Sequence, residues 1–232
     1  MGDFTKQSQS DSPVTERTHR MSLADLREEY RLKGLEERNC ETNPIVQFER
    51  WIKDAQAAHL KEPNAMTLAT VGAGGRPSAR IVLLKEVSDL GFVFYTNYSS
   101  RKARELEANP FVALTFYWTE LERQVRVEGR VERISREQSE GYFQTRPRGS
   151  RLGAWASHQS QVVSNRAEMD AGLEEMERRY GSGDVPAPEF WGGYCVVHEA
   201  VEFWQGRPNR MHDRLLYRRK DEDAWTIERL WP

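Results

Sequence analysis

Hydrophobic spacing along the chain changes period near residue 65. Before it, Ile45, Phe48, Trp51, Ile52 and Ala55 recur at helical intervals, so one apolar stripe runs along a helix to about Lys61. Thr42, Asn43 and Pro44 mark its start, because proline suits the first helical turn, where its missing N–H is not needed. After residue 65, strands take over. Ala65 to Val71, Ser78 to Lys85 and Phe92 to Thr96 read as strands, with Gly72 to Arg76 a glycine-rich turn. Phe111 to Trp118 and Gln124 to Ile134 predict a long hairpin. In its second arm Val125, Val127, Gly129 and Val131 alternate with Arg126, Glu128, Arg130 and Glu132, one side buried and one wet.

Helical signals interrupt the strands. Ser99 or Ser100 caps a helix that ends at Asn109-Pro110. Ser135 and Gln138 have the spacing of a capping box for a helix to about Thr145, and Pro147 opens the next. Asn165 to Tyr180 is a charged helix closed by Gly181, followed by the rigid connector Val185-Pro186-Ala187-Pro188. Tyr194 to His198, Val201 to Trp204, Met211 to Arg218 and Trp225 to Leu230 read as further strands. Residues 1–20 are rich in Ser, Thr, Gln and Asp and read as a disordered tail. Leu23 to Leu32 reads as a short helix with Ser22 as its cap. Residues 21–232 then form one domain. Strands on both sides of a helical middle, joined by short links, predict a mainly β fold with α-helices: an antiparallel barrel with helices packed on it. No Gly-x-Gly-x-x-Gly follows a strand, which argues against a Rossmann site.

Composition narrows the function classes. The 232 residues carry a net charge of −2, so nothing global draws the chain to nucleic acid or to an anionic membrane. Any anion site must be built locally. Cys40 and Cys195 make no disulfide framework, and the five histidines lack metal-ligand spacing. No apolar run reaches membrane-spanning length and the start has no signal-peptide core, so a cytoplasmic location is the default expectation. Seven Trp, eight Tyr and nine Phe supply flat surfaces for an aromatic ligand.

Several clusters could hold anions. If the stretch after Asn209 is extended, Arg210, His212 and Arg214 share a face. That face suits either a charged edge strand or the lining of a site for a planar, anionic ligand. Arg80 and Lys85 bracket an apolar strand, and their spacing puts them on opposite faces of a regular strand. They either snorkel from the strand ends or bind a ligand. Arg101 and Lys102 sit at a helix start, where they oppose the helix dipole unless an anion lies among them. Tyr142 and Arg146 share a helix face, and Ser150 falls in the first turn after Pro147; together they suit a phosphate. Gln159-Ser160 is a polar pair with no signal of its own. With no Gly-x-Ser-x-Gly elbow and no acid pair, the pattern fits an enzyme whose cofactor does the chemistry.

These segments resemble the pyridoxamine 5′-phosphate oxidase family. The likeness runs from about Leu26 to the C-terminal Arg229-Leu230-Trp231-Pro232. It rests on Arg80 to Lys85, Tyr95-Thr96-Asn97, Ser100-Arg101-Lys102, Arg123-Gln124-Val125, Ser157 with Gln159-Ser160, Phe190-Trp191-Gly192-Gly193, and Trp204-Gln205-Gly206 through Arg214, in that order. The resemblance implies an FMN-binding split barrel and an obligate homodimer with FMN at the subunit interface. It also implies oxidation of pyridoxine or pyridoxamine 5′-phosphate to pyridoxal 5′-phosphate, with molecular oxygen reduced to hydrogen peroxide. By position it implies FMN contacts at Arg80, Ile81, Val82, Leu83, Tyr95, Thr96, Arg101, Lys102, Gln124, Gln159, Ser160, Trp204 and Arg214. Lys85, Tyr142, Arg146 and Ser150 become the substrate-phosphate cradle. Arg210 and His212 become the catalytic pair over the substrate ring, and the segment from Arg27 to Tyr30 reaches the substrate. Met211 stands where the family pattern suggests Leu, and Trp231 where it suggests Ala. A non-catalytic FMN-binding split barrel and a pyridoxal-phosphate carrier without flavin are the alternatives. The joint presence of Tyr142, Arg146, Arg210 and His212 argues against the first, and the Arg80, Arg101, Lys102 set against the second.

Overall fold

The computed structural model describes residues 29–32, 34–221 and 224–232. The expected tail, Arg27 and most of the expected helix from Leu23 lie outside these residues. Its last positions, Glu29 to Leu32, are irregular rather than helical.

The first helix, α1 (Pro44–Ala57), is capped by the Asn43 side chain, which accepts from the Ile45 N–H at 2.7 Å. It stops short of Lys61, and His59 and Glu62 then take left-handed backbone conformations. Strands β1 (Ala65–Val71), β2 (Pro77–Leu83), β3 (Glu86–Ser88) and β4 (Gly91–Asn97) follow. Helix α2 (Arg101–Ala108), capped by Ser100, leads to the hairpin of β5 (Phe111–Trp118) and β6 (Arg123–Arg133). Three helices come next: α3 (Arg136–Thr145), α4 (Arg148–Ala156) and α5 (Arg166–Tyr180). The Ser135–Gln138 capping box is formed, and Asn165 and Gly181 close the ends of α5 as expected. The chain finishes with β7 (Trp191–Gln205), β8 (Asp213–Arg219) and β9 (Trp225–Arg229).

The nine strands of the described residues belong to one antiparallel sheet that curls into a half-barrel. Its main path is β2-β1-β5-β6-β7-β4-β3, and β8 and β9 continue from β7. Two expected strands, Tyr194 to His198 and Val201 to Trp204, are one: β7 pairs with β4 through its first half and with β8 through its second. A register shift at Glu128/Gly129 lets β6 follow it along both halves. Gly129 is required there, because a Cβ would lie 2.1 Å from the Val197 carbonyl oxygen. β8 begins at Asp213, not Met211. Asn209 and Arg210 form a left-handed turn, with φ of 56° and 59°. Arg210 is therefore exposed on a turn, and the expected single extended face of Arg210, His212 and Arg214 does not exist.

Burial of alternate strand residues builds the core. Leu68, Leu114, Val125, Val127, Val201, Phe203 and Leu215 are fully buried, and α1 covers them with Phe48, whose ring meets Phe92 and Phe116 about 5 Å away. A second cluster of Phe143, Leu152, Val185 and Trp191 fixes α3 and α4 against the start of β7. It sets the position of one of the two polar sites described next.

Candidate functional site

Between β2, β4, α3 and α4 lies a cavity of about 700 Å³, within the range typical of small-molecule sites. Arg80, Ile81, Val82, Leu83, Lys85, Tyr95, Thr96, Lys102, Tyr142, Arg146, Ser150 and Gln159 all line it. The structure thus gathers most of the residues assigned to FMN and all four assigned to the substrate phosphate. Arg80 and Lys85 line the same cavity, contrary to the opposite-face expectation, because β2 ends at Leu83 and the chain turns before Lys85.

Among the described residues, no carboxylate lines the cavity, while four cations do. Arg80 is held from behind. Its Nη1 donates to the Leu68 carbonyl (3.2 Å) and Thr70 Oγ1 (2.6 Å), and its Nη2 to Glu105 Oε2 (3.1 Å). Burial raises the pKa of Glu105, but hydrogen bonds from Ser78, Thr70, Arg101 and Arg80 outweigh it and hold the group at about 2. Lys102 Nζ donates to Thr96 Oγ1 (3.1 Å) and Gln159 Oε1 (2.9 Å). Burial, with Arg80 nearby, pushes its pKa down. Arg146 is half-buried over the Trp191 ring, and its buried Nη1 finds no partner within the described residues. Tyr95, Tyr142 and Trp191 form a stack, with centroids 4.0 Å apart for the tyrosine pair and 5.3 Å for Tyr95 and Trp191. Trp191 and Asn97 also line the cavity. Spacing could not have singled them out; Trp191 stood inside a recognised motif without a role.

The remaining site residues lie elsewhere. Gln124, Trp204 and Arg214 occupy consecutive register positions across β6, β7 and β8, so they form one row on one face of the sheet. Strand pairing explains a grouping that no linear spacing could show. His212 joins this row: its ring lies 4.6 Å from Trp204, and Tyr30 packs edge-on against both, at 5.6 Å from Trp204 and 5.5 Å from His212. Its Nδ1 accepts the Arg207 backbone N–H at 3.1 Å. Burial and the neighbouring Arg210 push the His212 pKa down, against a smaller effect of Asp213. Arg101 lines neither cluster; it is largely exposed and donates to Glu105 at 2.8 Å. Ser160 stands on a left-handed turn outside the cavity lining.

A curled antiparallel sheet with helices over a cation-rich cavity is the architecture of the FMN-binding split barrels. A pyridoxamine 5′-phosphate oxidase-related, FMN-binding protein from Nostoc punctiforme has this fold, with a TM-score of 0.66 at 18% identity, covering 83% of this chain and all of that one. PhzG from Burkholderia lata, solved with tetrahydrophenazine-1-carboxylic acid, superposes with a TM-score of 0.82 at 28% identity, covering 88% of this chain and all of that one. In sequence, residues 52–180 match the pyridoxamine 5′-phosphate oxidase family, and residues 191–232 match the pyridoxine 5′-phosphate oxidase C-terminal dimerisation region. The pyridoxine/pyridoxamine 5′-phosphate oxidase of Burkholderia vietnamiensis is 58% identical over 91% of this chain and 99% of its own. That of Thermosynechococcus vestitus is 60% identical over 90% of this chain and 99% of its own. The chain belongs to the pyridoxamine 5′-phosphate oxidase family.

Proposed function

We propose that this chain is a cytoplasmic, homodimeric, FMN-dependent oxidase. It converts pyridoxine or pyridoxamine 5′-phosphate to pyridoxal 5′-phosphate and passes two electrons to molecular oxygen, giving hydrogen peroxide. The observation that carries this reading is the division of the site. Trp191 opens β7 and lines the cavity, whereas Trp204 stands at its far end among the other site residues. At about 3.3 Å per residue the strand between them runs for roughly 40 Å along its path, and none of Gln124, Trp204, His212 and Arg214 lines the cavity of the same chain. A second copy, paired through the C-terminal dimerisation region, brings the Gln124–Trp204–Arg214 row of one subunit to the cavity of the other.

The residues fit FMN and a second phosphate. Among the described residues, four cavity cations without a lining carboxylate, and a buried Arg146 nitrogen without a partner, suit two anionic groups. Arg80 and Lys102 hold the flavin phosphate, with Thr96 and Gln159 orienting Lys102. Lys85, Tyr142, Arg146 and Ser150 hold the substrate phosphate. FMN supplies the two-electron acceptor. From the other subunit, Arg210 and His212 close over the substrate ring. Because His212 accepts at Nδ1, its proton sits on Nε2. It therefore orients the reacting alcohol or amine by donating to it, which supports a positioning role over proton abstraction.

The purified protein should be yellow, should sediment as a dimer, and should bleach when pyridoxine 5′-phosphate is added without air. Bound flavin that keeps its colour would favour the non-catalytic alternative. A monomer that retains FMN would remove the shared site.

A further inference from the structure

We infer that Glu202 is a positioning residue for the flavin site, aiming the guanidinium of Arg214 by a buried bidentate grip. The inference rests on the reading that Arg214 faces the flavin. Glu202 lies in β7 between the buried residues Val201 and Phe203, and is itself 3% exposed. A carboxylate there must be paired. Arg214 Nε donates to its Oε1 at 2.8 Å and Arg214 Nη2 to its Oε2 at 3.0 Å. Arg126 Nη2 donates to the same Oε2 at 2.5 Å. The sheet register produces this meeting: Glu202 faces Arg126 on β6, while Arg214 faces Trp204, one step along the same face.

The grip determines what Arg214 has left to offer. An arginine carries five N–H donors. Glu202 takes the one on Nε and one on Nη2, and the Trp231 carbonyl takes one on Nη1 at 2.9 Å. One N–H remains on each terminal nitrogen. Two free donors on neighbouring nitrogens suit a pair of acceptors on a planar group. A longer leash would leave Arg214 several rotamers to lose on binding. Glu202 removes them in advance, with the C-terminal backbone as the third point of attachment. The charges agree: two guanidinium groups share one carboxylate, so the cluster keeps a net positive charge for an electron-rich partner.

The test is the FMN dissociation constant of the apoprotein, followed by quenching of flavin fluorescence, with melting temperature and sedimentation measured in parallel. The variants are Glu202→Gln, Glu202→Asp, Arg214→Ala and the doubles of each Glu202 change with Arg214→Ala. Glu202→Gln and Arg214→Ala should each weaken FMN about tenfold or more. The double should be no weaker than Arg214→Ala alone within about twofold, because Glu202 acts through Arg214. Should the Gln variant not fold, Glu202→Asp keeps the charge but draws it back by one methylene, and a several-fold loss is expected in the same comparison. Fully additive losses would make Glu202 a general structural residue and overturn the inference. So would an unchanged constant in both Glu202 variants beside a weakened Arg214→Ala. An unchanged constant in Arg214→Ala would instead sink the flavin role of Arg214 itself.

Discussion

The guanidinium of Arg146 lies 4.8 Å from the centre of the Trp191 ring, on the wall of the cavity. Burial pushes its pKa down against a smaller effect of Tyr142, yet arginine stays charged. The ring compensates part of the lost solvation. An anion bound in the cavity would supply the rest, and among the described residues no carboxylate lines it.

Replacing Arg146 by Ala should therefore act on substrate binding. Each hydrogen bond to a charged group contributes roughly 1.5–3 kcal/mol. The Michaelis constant for the phosphorylated substrate should rise about tenfold to a hundredfold, with turnover falling less. The unmutated enzyme should prefer phosphorylated over free pyridoxine by about a thousandfold, from two or more such bonds. Steady-state kinetics on both substrates checks this, and equal use of the two would contradict it.

Arg210→Ala and His212→Ala should keep fold and bound FMN but slow flavin reduction by roughly a hundredfold or more. A single anaerobic turnover in the stopped-flow separates that step from reoxidation. If both variants reduced at the unmutated rate, the catalytic pair would have to be sought elsewhere.

The neutral form of His212 is the one the structure holds, since Nδ1 must remain an acceptor for the Arg207 N–H. Burial and Arg210 lower its pKa below the ordinary 6.5. Activity should then persist below pH 6.5 and fall only as pH drops through the lowered value. Arg210→Ala removes one of the lowering influences, so the His212 pKa should rise. Proton NMR titration of the ring in the apoprotein reads this directly, and a pKa that stayed put or fell would contradict it.

His198 makes a separate pH prediction, for stability. Its ring stacks on Trp225 with centroids 5.1 Å apart, and burial, then Arg219, lower its pKa to about 4, with Asp89 acting weakly in the other direction. The folded value lies below the unfolded one, so the unfolded chain binds more protons between about pH 6.5 and 4. Stability is full above that window and is lost as pH falls through it, by on the order of 3 kcal/mol. His198→Phe keeps an aromatic ring and removes the titration. Urea unfolding at pH 7.5 and pH 4 should show a smaller loss in the variant; an equal loss would rule out His198 as the cause.

Local signals carried much of this fold. Asn43-Pro44, Ser135 with Gln138, and Asn165 with Gly181 each mark a helix end by chemistry confined to a few residues, and the structure has those helices. The misreadings have causes that hydrophobic alternation does not carry. The join of two expected strands into β7 depends on the irregular pairing at Gly129, visible only once β6 lies beside it. The left-handed turn at Asn209 and Arg210 displaced the start of β8 and with it the supposed shared face. Arg80 and Lys85 converge because a strand stops, which alternation cannot foretell. Glu202 left one trace: an acid in an apolar strand, which had to be paired. Gln124 and Trp204 were available only through family resemblance, since their adjacency is a matter of strand register.

The length of β7 has a genetic corollary. If its two ends serve different active centres, lesions at the two ends should complement each other. A chain impaired at Arg146 and one impaired at His212 would each work poorly alone at low substrate. Mixed after unfolding together and reassembly, they would form hybrid pairs in which one centre carries both defects and the other carries neither. Activity at low substrate would rise above that of either parent, without recombination and without a single repaired chain.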